Sequence, residues 1–412
     1  MGYTRKLDII FPSILISLMP FFLMTGPFLS DLSLLIVIFF YLFNSIKEKN
    51  YTLLSSFFFK IFLFFYVYLI FNSIVNFYDY NNLRVSISYL RFGLYVLAVI
   101  YFLRKNEKII YWLFCCFFVC FSILVIDGFY QYFFGINLTG YSLGHEKRVS
   151  SFFYDEFILG SYLARLSPIF FGLAFYLSKT KKKLLLYFFI LFIFTQTLIF
   201  LSGERAAFFF SLMTTLFIVL MIAGYKKMKF FVIFFPIVLI LSISIFNSKA
   251  KERIIDETLT SIGINSKEMN IFSKHHESHY MTAYNMYLDN KFVGIGLRNF
   301  RNFCSNPKYK IDEKSCSTHP HNTYIQLLAE TGLIGFMFGI ILFFYFCYHS
   351  LIHFKKKYLD KETLFNNFEI CLLSSILVTL WPFIPTGNFF NNWLSIVYFY
   401  PVGFLLWSMN KN

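Results

Sequence analysis

Charge is scarce in this chain: 14% of its 412 residues are Asp, Glu, Lys or Arg, against roughly a quarter in soluble domains. That shortage excludes an ordinary water-soluble globule, and it leaves the bilayer as the main solvent. No Walker-type lysine motif occurs, which argues against an internal ATPase engine. Gly294-x-Gly296 lacks the strand and helix of a dinucleotide-binding fingerprint. The run KHHESH sets His275 and His279 at i, i+4 spacing without the glutamate of a zinc-hydrolase signature, so no metal is expected. Low-complexity linkers, a separate soluble domain and a convincing internal repeat are all missing. No small-residue cleavage site follows the N-terminal apolar run, which is expected to stay in place as a first helix.

What the chain does have is apolar residues, 58% of the total, with 61 phenylalanines that read as lipid-facing or packing groups. Stretches of about 18 or more apolar residues recur, each long enough to cross a hydrocarbon core of roughly 30 Å as a helix. Twelve spans are expected, at 9–25, 29–45, 54–75, 83–103, 109–127, 157–177, 184–201, 205–222, 229–246, 322–348, 368–385 and 389–408. The predicted fold is therefore all-α: one integral membrane domain over 1–412, a polytopic bundle with one large outer loop containing short helices.

Every second connection is basic: Lys47 and Lys49, Arg104 to Lys108, Lys179 to Lys183, Lys226 to Lys229, Lys355 to Lys361, and Lys411. The positive-inside rule puts these, and both termini, in the cytoplasm. The net charge of +15 thus reflects topology, since the basic residues form no groove-sized face for nucleic acid. The opposite connections TGPFLSD, NFYDYNN and PTGN carry no lysine or arginine and are expected outside. Two longer outer segments join them, 128–156 and a loop at 247–321 with eleven basic and eight acidic residues. Cys304 and Cys316 share that loop, where an oxidising compartment would favour a bridge; the alternative is two free thiols.

The candidate chemistry lies at this outer surface. His321, in HPHNTYIQLLAETGLIG, ends the large loop and can hold or release a proton near neutrality, with His319 beside it and Asn322 next in line. Nothing about the tight turn of LSGERAAFFF requires Arg205, whose fork of donors suits a phosphate or carboxylate; an interfacial anchor or a pair with Glu204 is the structural alternative. In DNKFVGIGLRNFR, Gly294 and Gly296 permit a close backbone approach ahead of Arg298 and Arg301, and Arg148 adds another outer cation. Arg91 and Arg165 fall inside predicted spans and must face protein or water. A buried ion pair between Glu330 and such an arginine is expected.

Taken together, these segments resemble the O-antigen ligase and O-antigen polymerase superfamily, best over about 127–340. His321-Asn322 followed by Gly332 and Gly335 looks like that family's ligase signature. Arg148 with Gly160, Arg205, and Gly294-x-Gly296 with Phe300 look like its upstream landmarks. The chain departs from the pattern in Ser-Gly-Glu-Arg-Ala and in His276, where an arginine is common. The resemblance implies a metal- and cofactor-independent inverting glycosyltransferase of the bacterial inner membrane with a periplasmic active site. It would move a glycan from undecaprenyl diphosphate to a hydroxyl on lipid A-core, or, as a polymerase, to another lipid-linked repeat. Arg205, Arg148, Arg298 and Arg301 would bind diphosphate, and His321 would act as base. A transporter of lipid-linked glycans is the rival from another class.

Overall fold

A computed structural model describes residues 2–144, 148–178, 180, 182–246, 251–262 and 272–411. Lys179 and Lys181 of one basic connection, and parts of both long outer segments, lie outside the described residues. The helices are α1 (Gly2–Ser17), α2 (Met19–Thr25), α3 (Pro27–Glu48), α4 (Phe57–Val75), α5 (Tyr80–Ser88), α6 (Leu90–Lys105), α7 (Lys108–Phe134), α8 (Leu159–Ser178) and α9 (Lys182–Leu201). They continue as α10 (Arg205–Met221), α11 (Lys226–Phe246), α12 (Glu257–Ile262), α13 (Lys274–Asp289), α14 (Phe300–Phe303), α15 (Thr323–Lys355), α16 (Asn367–Thr379) and α17 (Asn392–Met409). The all-helical expectation holds: among the described residues there is no strand, only an isolated bridge between Ile136 and Ser142.

Seven helical stretches are long and apolar enough to cross a membrane, or eight if α1 and α2, bent by 51°, make one broken span. The other expected spans fall on α8, α10, α16 and α17. Two of these are short, 17 residues in α10 and 13 in α16. For α8 and α16 burial explains the difference. Nearly every residue of α8 and α16 is enclosed by other helices, and a helix shielded from lipid needs neither lipid-grade hydropathy nor full span length. The span expected at 368–385 stops at Thr379, because Pro382 and Pro385 cannot donate to a helical ladder; residues 380–391 form a loop instead.

Successive spans alternate in direction, so their ends sort into two groups. At one end Lys47 pairs with Asp8 at 3.2 Å, Lys105 with Glu48 at 3.0 Å and Lys411 with Glu107 at 2.7 Å. At the other end the N-termini of α8, α10, α15 and α17 meet the C-termini of α7, α9 and α16, and the polar residues singled out above gather there.

Gly332 breaks α15 with φ 63° and ψ −166°. The main chain of 291–296 inserts into the gap. Ile295 and Gly296 donate to the carbonyls of Ala329 and Glu330 at 3.0 Å each, and Leu333 donates to Lys291 at 2.8 Å. Neither side of the contact has room for a side chain: a Cβ on Gly294 would lie 2.6 Å from the Gly332 nitrogen, and one on Gly332 would overlap the main chain of Phe292 and Val293. The close approach expected of the Gly-x-Gly pair is thus its structural purpose here.

Candidate active site

The site is assembled around the start of α15. Asn322 caps this helix by accepting from the amides of Tyr324 at 2.9 Å and Ile325 at 3.1 Å, while its amide nitrogen reaches the Pro382 carbonyl at 2.7 Å. The preceding residue, His321, is forced to φ 60°, a left-handed conformation uncommon outside glycine. Its carbonyl accepts from the Thr386 amide at 2.8 Å and its Nε2 sits 2.9 Å from Ser317 Oγ. Cap, loop and serine together aim one imidazole.

Helix α13 lays two more histidines against it, and the loop ahead of α15 supplies a third. The ring of His279 lies 5.3 Å from that of His321, His276 lies 5.6 Å away and His319 only 4.1 Å. Burial, reinforced by these neighbours, lowers His321 to about 3; His276 and His319 drop to about 4, again chiefly through burial. The row is therefore neutral at physiological pH and can accept protons. Among the described residues no three His, Cys, Asp or Glu side chains are disposed to hold a metal ion, although the rings of His275 and His279 approach to 5.0 Å.

One flank of the row is built on the α9–α10 turn. Glu204 is turned back to cap α8, accepting from the amides of Gly160 at 2.6 Å and Ser161 at 3.0 Å and from the Ser161 hydroxyl at 2.7 Å. Burial holds its carboxyl up at about 7, with those hydrogen bonds and Arg148 pulling the other way. Arg148 donates from Nε to the Ser202 carbonyl at 3.0 Å and Arg253 to that of Gly203, also at 3.0 Å. Arg205, whose Nη1 lies 4.0 Å from Glu257, is near enough to disfavour a proton on His276. Three guanidiniums thus surround one turn. The alternative pairing of Arg205 with Glu204 gives way to the α8 cap.

The other flank is a cavity of about 500 Å³ whose lining includes Arg84, Arg91, Arg298 and Arg301. Arg301 also disfavours a proton on His319, so this cavity adjoins the row near His319. The expected pairing of Glu330 with an intramembrane arginine does not occur. Its carboxylate accepts from Gln326 at 2.9 Å and the Phe300 amide at 3.2 Å; Arg91 pairs with Asp31 at 3.2 Å and Arg165 donates to Thr386 at 3.0 Å. Local hydrogen bonds at the broken helix capture the acid first.

Of the sequence candidates, His321, His319, Asn322, Arg205 and Arg148 share the neighbourhood of the histidine row, and Arg298 with Arg301 adjoins it. Gly294, Gly296 and Glu330 serve the scaffold. A disulfide joins Cys304 to Cys316, with Cα atoms 5.0 Å apart, just ahead of Ser317. Sequence reading missed Thr386, which ties the α16–α17 loop to both His319 and His321, and Arg84; neither stands in a motif that could have marked it. His276, noted as a departure from a pattern, turns out to face His321.

No curated protein matches the chain. Residues 186–340, from α9 through the break in α15, match the protein-family model described as O-Antigen ligase; with Arg205, Arg298, Arg301 and His321 all inside the match, this stretch supports placing the integral membrane protein in the O-antigen ligase and polymerase superfamily.

Proposed function

We propose that the protein is a glycosyltransferase of the bacterial inner membrane that moves a glycan from undecaprenyl diphosphate to an acceptor hydroxyl on the periplasmic face, with lipid A-core as the first acceptor to test. The observation that carries this reading is a half-buried, neutral histidine with arginines near it in two groups at one end of a membrane bundle. In the reaction, the acceptor hydroxyl replaces Ser317 at His321 Nε2 and gives up its proton there as its oxygen attacks the anomeric carbon. The bond from that carbon to the diphosphate breaks, and the diphosphate leaves with the electron pair. Arg205, backed by Arg148, stabilises the growing negative charge, and the bound anion makes His321 a stronger base. A single displacement inverts the anomeric centre. The activated donor supplies the energy, and arginines supply the positive charge that a metal would otherwise provide.

Basic connections gathered at the opposite end support cytoplasmic termini and an outward-facing site. Arg298 and Arg301, which line the cavity, are assigned here to a separate role, and their joining the diphosphate clamp is the alternative reading. The family match does not separate a ligase from a repeat-unit polymerase, because both reactions need the same donor site and base. A deletion strain decides: long lipid-linked chains accumulate if a ligase is missing, single capped repeats if a polymerase is. The catalytic test is His321→Ala in membranes supplied with a defined undecaprenyl diphosphate donor. Transfer should fall by about 10²–10⁴-fold at unchanged protein level; normal transfer would remove the base assignment.

A further inference from the structure

The cavity bordered by α5, α6 and the Arg298–Asn302 segment is built for a charged occupant. Four guanidiniums face two carboxylates, Asp31 and Asp79, leaving an excess of two positive charges. Neither acid is at liberty to cancel that excess. Asp31 pairs with Arg91 at 3.2 Å, and Asp79 caps α5 by accepting from the Asn82 amide at 2.9 Å. Arg298 is held at φ 57°, a left-handed conformation that is strained for a non-glycine residue. The clamp that fixes it is specific: Asn82 donates to Asn299 Oδ1 at 2.6 Å, and Asn299 donates to the Ile295 carbonyl at 2.8 Å. Burial and the nearby Arg301 make a proton on Arg298 less favourable than usual, and Glu330 and Asp79 offset this only in part. Like charges gathered at a backbone cost, beside an active-site row, point to an anion that repays the assembly when it binds.

Size and chemistry narrow the occupant. A space of about 500 Å³ lies within the range of small-molecule sites, roughly 300–1,000 Å³, and takes one or two sugar rings. Guanidinium forks match carboxylate and phosphate oxygens in a bidentate way, and the asparagines lining the same space offer amides to ring hydroxyls. The proposed transferase reading assigns the donor's diphosphate to Arg205, which does not line this cavity. We propose that this cavity is a second anion site, which seats a carboxylate- or phosphate-bearing sugar of the acceptor and so presents a neighbouring hydroxyl to His321. This assignment to the acceptor rests on the transferase reading above.

The test uses the full-length protein in nanodiscs. Binding of glucuronate, glucose 1-phosphate and glucose is followed by saturation-transfer NMR, and retention of undecaprenyl diphosphate is measured separately. At least one acidic sugar should bind about tenfold more tightly than glucose, and which of the two does so tells carboxylate from phosphate. Arg84→Gln, at an exposed position on α5, should erase most of that preference while undecaprenyl diphosphate is retained as in the wild type; Arg298→Gln provides a second variant. Equal binding of all three sugars overturns the proposal, and so does loss of undecaprenyl diphosphate from Arg84→Gln, which would give the cavity to the donor. Acidic-sugar binding by a protein that performs no transfer from a range of lipid-linked donors would instead remove the transferase reading and leave the cavity as an anionic-sugar site.

Discussion

The two arginine groups beside the histidine row hold their charges by different means. Around the α9–α10 turn, Arg148 and Arg253 are fastened to main-chain carbonyls, Glu204 is committed to capping α8, and Glu257 lies 4.0 Å from Arg205. In the cavity, Arg91 is countered by a carboxylate, and Arg298 and Arg301 ride on a segment whose position depends on the break in α15. The first group is preorganised by short-range hydrogen bonds. The second is only as well placed as the contact between 291–296 and the two halves of α15. Preorganised charge suits a developing leaving group, where reorganisation would raise the barrier, whereas a seat for an incoming substrate tolerates more adjustment.

Substitutions should separate the two groups. Arg205→Gln is expected to lower turnover by about 10²–10³-fold with a smaller change in acceptor KM, as befits charge stabilisation in the transition state. If only acceptor KM moved, the division of labour would be reversed. Gly332→Ala carries the next largest effect. The added methyl overlaps Phe292 and Val293 and must accept a left-handed conformation, at a cost of about 2–4 kcal/mol. Thermal unfolding in detergent and cross-linking across 291–296 should show that segment released while the Arg148–Ser202 contact survives; an unaltered midpoint would deny the insertion its structural weight.

The smallest effect expected is that of pH. An ordinary histidine would be mostly protonated at pH 5.5, cutting kcat/KM by about tenfold relative to pH 8. With its affinity for protons lowered to about 3, His321 stays neutral across that interval, and kcat/KM should change by less than about twofold. The sign for stability agrees: an unfolded histidine binds a proton near pH 6.5 and the folded one does not, so this group favours unfolding as pH falls from there toward 3. A profile with a half-point near 6.5 would mean that solvent reaches the row freely.

Much of this arrangement was legible in the sequence where function depends on a local pattern. His321 stands at the junction of a polar loop and an apolar run, and Arg205 occupies a turn too tight to need it. The helical places were legible from hydropathy, but α8 and α16 show the limit of that signal, since lipid contact and not helicity is what hydropathy reports. Thr386 and Arg84 were hidden because their partners are far away in the chain, and no spacing within a short window records them; the loop at 380–391 is expected only as the shorter connection PTGN, because hydropathy carries the span past Pro382. Glu204 shows the same thing in reverse: beside Arg205 in sequence, it spends its oxygens on Gly160 and Ser161.

The interruption at Gly332 makes the outermost turns of α15 a separate stub, stitched sideways to the chain at 291–296 instead of continuing end-on into the long shaft below. His321 therefore rides on a bracket bolted largely by buried amide-to-carbonyl bonds, and a tilt of the shaft among the lipids need not become misalignment of the reacting groups.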